Sequence, residues 1–170
     1  MKNLILIGMP GCGKSTIGRK LSKRLDMEFI DLDLMIEKTY GKKISDIFKE
    51  IGEKGFRQLE SKALSESVKT EDRVIATGGG IVIVDGNLSI AENGITVFID
   101  RPLECISSDI KTGNRPLLAG SGAEKLKKLY NERYDKYLSW ADIHIINDKT
   151  AADAVEKILS EVKLYENNGD

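Results

Sequence analysis

Leu6-Ile7-Gly8-Met9-Pro10-Gly11-Cys12-Gly13-Lys14-Ser15-Thr16 is the stretch on which the fold turns. Residues 8–15 match the phosphate-binding pattern G-x-x-x-x-G-K-[ST], and both flanks are what that pattern needs. Before it, residues 4–7 form an unbroken apolar run, as expected of a parallel strand buried on both faces. After it, Ile17, Leu21 and Leu25 recur at every fourth position, which is helical spacing. In such a loop the glycines let successive backbone N–H groups turn toward phosphate oxygens, above the positive end of the helix. Lys14 is then placed to reach the β- and γ-phosphates, and the Ser15 hydroxyl to ligate Mg²⁺. The competing reading is a glycine-rich turn that binds nothing. The complete pattern between strand and helix argues against it.

A chain of 170 residues suffices for a single α/β domain with a sizeable core. Its net charge of −1 gives no general attraction to nucleic acid or to an anionic membrane. No apolar stretch approaches the roughly 20 residues that span a bilayer, and the apolar start has no signal-peptide cleavage pattern, so a cytoplasmic location is expected. Cys12 and Cys105 lie too far apart in sequence to suggest a disulfide framework or a metal site. Cys12, inside the loop, reads as a spectator. The single histidine, His144, excludes multi-histidine zinc motifs and reads as a strand residue. No heptad seam points to an oligomer, so a monomer is expected.

Strand-like runs at 3–7, 28–31, 73–77, 96–99 and 143–146 alternate with helical patterns, which predicts a parallel sheet covered by helices on both faces. Ligands of such folds collect at the carboxyl ends of the strands. Those ends carry the phosphate loop, Asp31-Leu32-Asp33, Gly78-Gly79-Gly80, Asp100-Arg101-Pro102 and Asn147-Asp148. The last two read as ordinary turns.

Asp31 and Asp33 are spaced i, i+2, so extended backbone would aim both carboxylates to one side. One acid could serve Mg²⁺ through its water shell and the other accept a proton from a substrate hydroxyl. Alternatively, one of them caps a helix beginning near Leu34. The three glycines permit close approach of a ligand to the main chain, or simply a flexible turn. In the predicted helix at 123–139, Leu126, Tyr130, Arg133 and Tyr137 share the inward face, and a buried guanidinium needs an anionic partner. Arg57, three residues before Glu60, reads by itself as half of an exposed pair. If both arginines enter the cleft they suit a carboxylate. Segment 109–122 has glycines on both sides of Arg115-Pro116 and reads either as a lid that brings Arg115 over a phosphate or as a mobile surface loop.

Taken together, G-M-P-G-C-G-K-S-T, D-L-D, F-R-x-x-E, the triple glycine after V-I-A-T, R-P-L-L-A-G and E-R-Y-D-K-Y resemble, in order and spacing, the shikimate kinases. The resemblance covers nearly the whole chain. It implies a three-layer α/β/α P-loop kinase fold with five parallel strands in the order 2-3-1-4-5, a substrate-binding helical region at about 32–66 and a lid at about 109–122. It further implies transfer of the ATP γ-phosphoryl group to the 3-hydroxyl of shikimate. By position, Gly11, Cys12, Gly13, Lys14, Ser15 and Thr16 would bind the nucleotide phosphates. Ser15 and, through water, Asp31 would hold Mg²⁺. Asp33 would contact the shikimate hydroxyls and act as general base, while Arg57 and Arg133 clamp the carboxylate, which reverses the surface reading of Arg57. Gly78, Gly79 and Gly80 would offer backbone groups, and Arg115 would neutralise phosphate charge. Lys111 stands where many members have an arginine packed on adenine, and the loop from there to Arg115 is short. A kinase for another polyhydroxy acid such as gluconate, and a non-catalytic ATP-binding module, are the alternatives.

Overall fold

A computed structural model of the chain describes residues 1–109 and 122–168. Among them, strands β1 (Asn3–Ile7), β2 (Glu28–Asp31), β3 (Arg73–Ala76), β4 (Gly94–Asp100) and β5 (Ile143–Ile146) pair in parallel in the order β2-β3-β1-β4-β5. All five residues of β1 are buried, as its apolar run requires at the centre of a sheet covered on both sides. The edge strand β5 instead alternates buried and exposed positions.

Helices α1 (Lys14–Leu25), α2 (Leu32–Tyr40), α3 (Ile44–Ser67), α4 (Gly86–Ala91), α5 (Leu103–Asp109), α6 (Gly122–Trp140) and α7 (Ala151–Asn168) complete the fold, with a 3-10 turn at Ile81–Ile83. The two covering layers follow from the pleat. Leu6 pairs with Val97, and its side chain meets α1 at Gly18. Phe98, one residue further along β4, faces the other way and stacks on Tyr137 of α6 at a centroid distance of 5.2 Å. The helices α1 and α6 therefore cover opposite faces, and the expected three-layer architecture is present.

Local chemistry shifts some expected boundaries. Extended backbone does not continue to Asp33: α2 begins at Leu32, with Asp31 as its N-cap. The Asp31 Oδ1 accepts from the amides of Asp33 at 3.1 Å and Leu34 at 3.3 Å, so the strand ends where a carboxylate satisfies the first turn of a helix. The i, i+2 argument for two parallel carboxylates fails for that reason. β3 stops at Ala76 and β4 runs longer at both ends than residues 96–99. Residues 32–66 form α2 and α3, and α3 is broken at Gly52 (φ 68°, ψ −179°). The interior of segment 109–122, with Lys111 and Arg115, lies outside the described residues.

Candidate active site

At the carboxyl end of β1 the chain turns through Gly8 (φ 142°) and Gly13 (φ 104°), backbone states that a side chain would strain. The turn opens a cleft bordered by Gly11, Gly13, Lys14, Ser15 and Thr16 on one side and by Asp31, Asp33, Thr77 and Gly78 on the other. Lys14 is nearly buried and donates from Nζ to the carbonyl oxygens of Gly8 at 2.7 Å and Met9 at 2.9 Å. Its ammonium is thus held at the loop by the loop's own acceptors.

The adjoining carboxylates divide their tasks by atom. While Asp31 Oδ1 caps α2, Oδ2 accepts from the Ser15 hydroxyl at 2.6 Å. Capping and site-building, weighed as alternatives from the sequence, are combined in one side chain. Asp33 lies in the first turn of α2 and borders the cleft. Burial, and then the neighbouring charge of Asp31, push its pKa above the ordinary carboxylate value, against the opposing charge of Lys14.

None of the three glycines after β3 has a positive φ; their small size is what the fold uses. A Cβ on Gly78 would overlap the Glu60 carboxylate, and one on Gly80 the Arg57 guanidinium. On Gly79 it would lie 2.7 Å from Pro10 Cδ in the phosphate loop. The segment is therefore a packed junction where α3 and the loop both approach its main chain, and the flexible-turn reading does not hold. Its carbonyl at Gly79 accepts from Arg133 Nη1 at 3.0 Å and from the Tyr137 hydroxyl, one turn further along α6.

Arg57 does pair with Glu60, but inside the protein: the two side chains are 14% and 2% exposed. Glu53 holds the other end of the guanidinium at 3.1 Å. Burial pushes the Glu60 carboxyl above its ordinary value, with the Arg57 cation opposing. Both Arg57 Nε and Arg133 Nε are buried without a hydrogen-bond partner among the described residues. Asp33, Arg57, Glu60 and Arg133 thus come together from three helices beside the Gly78-Gly79 border of the cleft, two carboxyl groups and two guanidinium groups in one cluster.

Asp100, which ends β4 in the form of an apolar run followed by Asp, is engaged elsewhere. Its Oδ2 accepts from the Tyr134 hydroxyl and approaches His144 Nε2, each at 3.1 Å. Burial, and then Asp100, push the Tyr134 pKa up to about 12. It is Asp31, not Asp100, that meets the Ser15 hydroxyl. Sequence reasoning gave Glu60 no role of its own, although the F-R-x-x-E spacing already placed it one helical turn from Arg57. Pro10 and Tyr137 were also missed as parts of the junction; the inward stripe containing Arg133 did include Tyr137.

The shikimate kinase family model matches residues 10–163. Shikimate kinase of Clostridium botulinum (strain Alaska E43 / Type E3) is 48% identical over 160 residues, covering 93% of this chain and 96% of that protein. In structure, shikimate kinase from Acinetobacter baumannii in complex with shikimate superimposes with a TM-score of 0.88 at 36% identity, covering 95% of this chain and 93% of that one. A gluconokinase from Sinorhizobium meliloti shares the fold, with a TM-score of 0.60 at 15% identity.

Proposed function

The chain belongs to the shikimate kinase family, and from that premise we propose how its residues divide the work of ATP-dependent phosphorylation of shikimate. The observation that carries the reading is the meeting of two unlike groups at one cleft: a phosphate loop that faces Asp33 across it, and, beside Asp33 and Gly79, a charged cluster of half-buried Arg57 with buried Glu60 and Arg133. Phosphoryl transfer asks for in-line placement and neutralised charge. The loop residues from Gly11 to Thr16 cradle the nucleotide phosphates through their amides, with Lys14 moving from the loop carbonyls to the β- and γ-oxygens.

At the other half-site, Arg57 and Arg133 offer guanidinium donors to the shikimate carboxylate, with Glu60 orienting Arg57. The main chain of Gly78, Gly79 and Gly80 borders the substrate. Asp33 accepts the proton of the attacking hydroxyl, taken by family resemblance to be the 3-hydroxyl. A pKa raised by burial suits that task, because it makes the carboxylate a stronger base. Arg115 neutralises charge on the transferring group; its assignment rests on family position, as it lies outside the described residues.

Ser15 Oγ and Asp31 Oδ2 are hard oxygen donors 2.6 Å apart beside the phosphate loop. They fit Mg²⁺, which keeps most of its shell for water and phosphate. Ser15 would bind it directly and Asp31 through water, and the ion supplies charge neutralisation on the nucleotide phosphates. No helix among the described residues is long and apolar enough to cross a membrane; we expect a cytoplasmic monomer whose partners are ATP and shikimate, with no nucleic acid.

The test is ADP release with shikimate, quinate and gluconate as acceptors. Release that depends on shikimate is the expected result. Preference for gluconate would move the chain to another polyhydroxy acid, and ATP binding without transfer to any of them would make it a binding module.

A further inference from the structure

The turn after β5 was read from the sequence as ordinary, yet Asn147 is buried and reaches the middle of the phosphate loop. Its Nδ2 donates to the Cys12 carbonyl at 2.9 Å across 135 residues of sequence. Only the amide nitrogen can face a carbonyl oxygen, so the orientation of the side chain is settled by its partner. The other atom, Oδ1, is buried and has no partner among the described residues. Within that set the side chain therefore holds one thing, the Cys12 carbonyl.

That carbonyl belongs to the peptide plane that carries the Gly13 N–H. In a trans peptide the C=O and N–H vectors are antiparallel. Drawing the Cys12 oxygen toward β5 consequently turns the Gly13 N–H the opposite way. Gly13 borders the cleft together with Gly11, Lys14, Ser15 and Thr16. The backbone of Asn147 is anchored in turn: its amide donates to the Asp100 carbonyl at 2.7 Å, and its carbonyl accepts from Arg101 Nη1 at 3.2 Å. Arg101 is itself paired with Asp109 at 2.9 Å. A fixed point on the sheet thus extends into a loop with glycines at positive φ at 8, 11 and 13, the last of them next to Cys12. Gly13 also lacks the Cβ that would come within 3.2 Å of Asn147 Nδ2, so the tether and the glycine fit each other.

We propose that Asn147 is a positioning residue for the nucleotide phosphates, holding the Cys12–Gly13 peptide so that the Gly13 amide faces the anion. The inference rests on the phosphate-binding reading of the loop. It distinguishes Asn147 from Lys14 and Ser15, which meet the ligand themselves.

The test uses the full chain and three variants. Asn147→Leu and Asn147→Asp remove the donor at similar size, without and with a new charge; Asn147→Thr retains a hydroxyl that can donate. Dissociation constants for ADP, inorganic triphosphate and shikimate are measured by calorimetry beside the KM of ATP and of shikimate. Asn147→Leu should weaken ADP and triphosphate by about tenfold and raise the KM of ATP in step, leaving shikimate affinity within about twofold. Asn147→Asp should be worse for both phosphates, and Asn147→Thr should recover most of the loss. ADP binding by Asn147→Leu within about twofold of the parent would overturn the proposal, as would equal losses for ADP and shikimate, which would mark general loosening. Should Asn147→Leu fail to fold, Asn147→Thr against Asn147→Asp supplies the same contrast. A parent protein that binds neither ADP nor triphosphate would instead remove the reading of the loop.

Discussion

The two halves of the cleft are built on opposite principles. The phosphate half is nearly contiguous, residues 8–16 met by the side chains of Asp31 from the end of β2 and Asn147 from the turn after β5, and the attraction expected of it for an anion comes largely from backbone N–H groups at a helix start. The half proposed to take a carboxylate is discontinuous: Asp33 on α2, Arg57 and Glu60 on α3, the glycines after β3, and Arg133 on α6. It holds full charges that lose hydration on burial and must satisfy one another before substrate arrives. A loop can be an anion site wherever its local geometry is kept. A charge cluster exists only if several elements pack correctly, so packing errors should damage substrate binding before nucleotide binding.

The largest effect expected from breaking this division is that of Asp33→Asn. Removing the proposed base should lower turnover by about 10²–10⁴ while ADP still binds. The same variant should be more stable than the parent near neutral pH. Because the Asp33 pKa is raised on folding, the folded chain binds the extra proton in the window above the ordinary carboxylate value, and stability falls as pH rises through that window. The advantage of Asn should therefore shrink as pH falls below the ordinary value. Thermal unfolding of both proteins across acid and neutral pH checks the sign, and equal stability at every pH would show that Asp33 carries no buried charge.

Arg133→Ala and Arg57→Ala come next. Each deletes a proposed charge-assisted contact worth roughly 1.5–3 kcal/mol, so shikimate affinity should fall by at least tenfold with ADP affinity little changed. Calorimetry with each ligand separates the two; equal losses would erase the distinction between the half-sites.

A sharper probe lies in the junction itself. Gly80→Ala presses first on the Arg57 guanidinium, whereas Gly79→Ala presses first on Pro10 of the phosphate loop. The first should weaken shikimate only, by several-fold, and the second both ligands. The smallest effect concerns the two acids that end strands. Asp31→Asn should raise the Mg²⁺ concentration needed for half-maximal rate, and Asp100→Asn should leave it unchanged, because Asp31 meets Ser15 while Asp100 meets Tyr134 and His144. The reverse ranking in a Mg²⁺ titration would reassign the acid.

The same contrast explains what could be read from the chain in advance. The loop and strand-helix alternation were legible because their causes are local: glycine at positive φ, an apolar run, a four-residue period. The inward face of Arg133 was legible too, since its stripe is a property of one helix. Arg57 was not, because the residues that bury it belong to the turn after β3 and appear only when the sheet assembles. Its place came from family resemblance. Asp33 does border the cleft, but not by the extended-strand geometry that singles it out in the sequence: its proximity to Asp31 comes from a helix cap. Asn147 gave no signal at all, since nothing in N-D-K-T marks a residue whose partner is 135 positions away.

The acceptors that the loop itself offers Lys14 bear on product exit. Its ammonium has the carbonyl oxygens of Gly8 and Met9 within hydrogen-bond reach and lies near the Cys12 sulfur. Departure of ADP therefore need not strand a buried cation, because hydrogen bonds to the leaving phosphates are exchanged for hydrogen bonds to the loop. On the proposed assignment, what Lys14 contributes to holding ADP is only the difference between those two sets of partners. A lysine with somewhere to go lets the same residue assist transfer without becoming a brake on product exit.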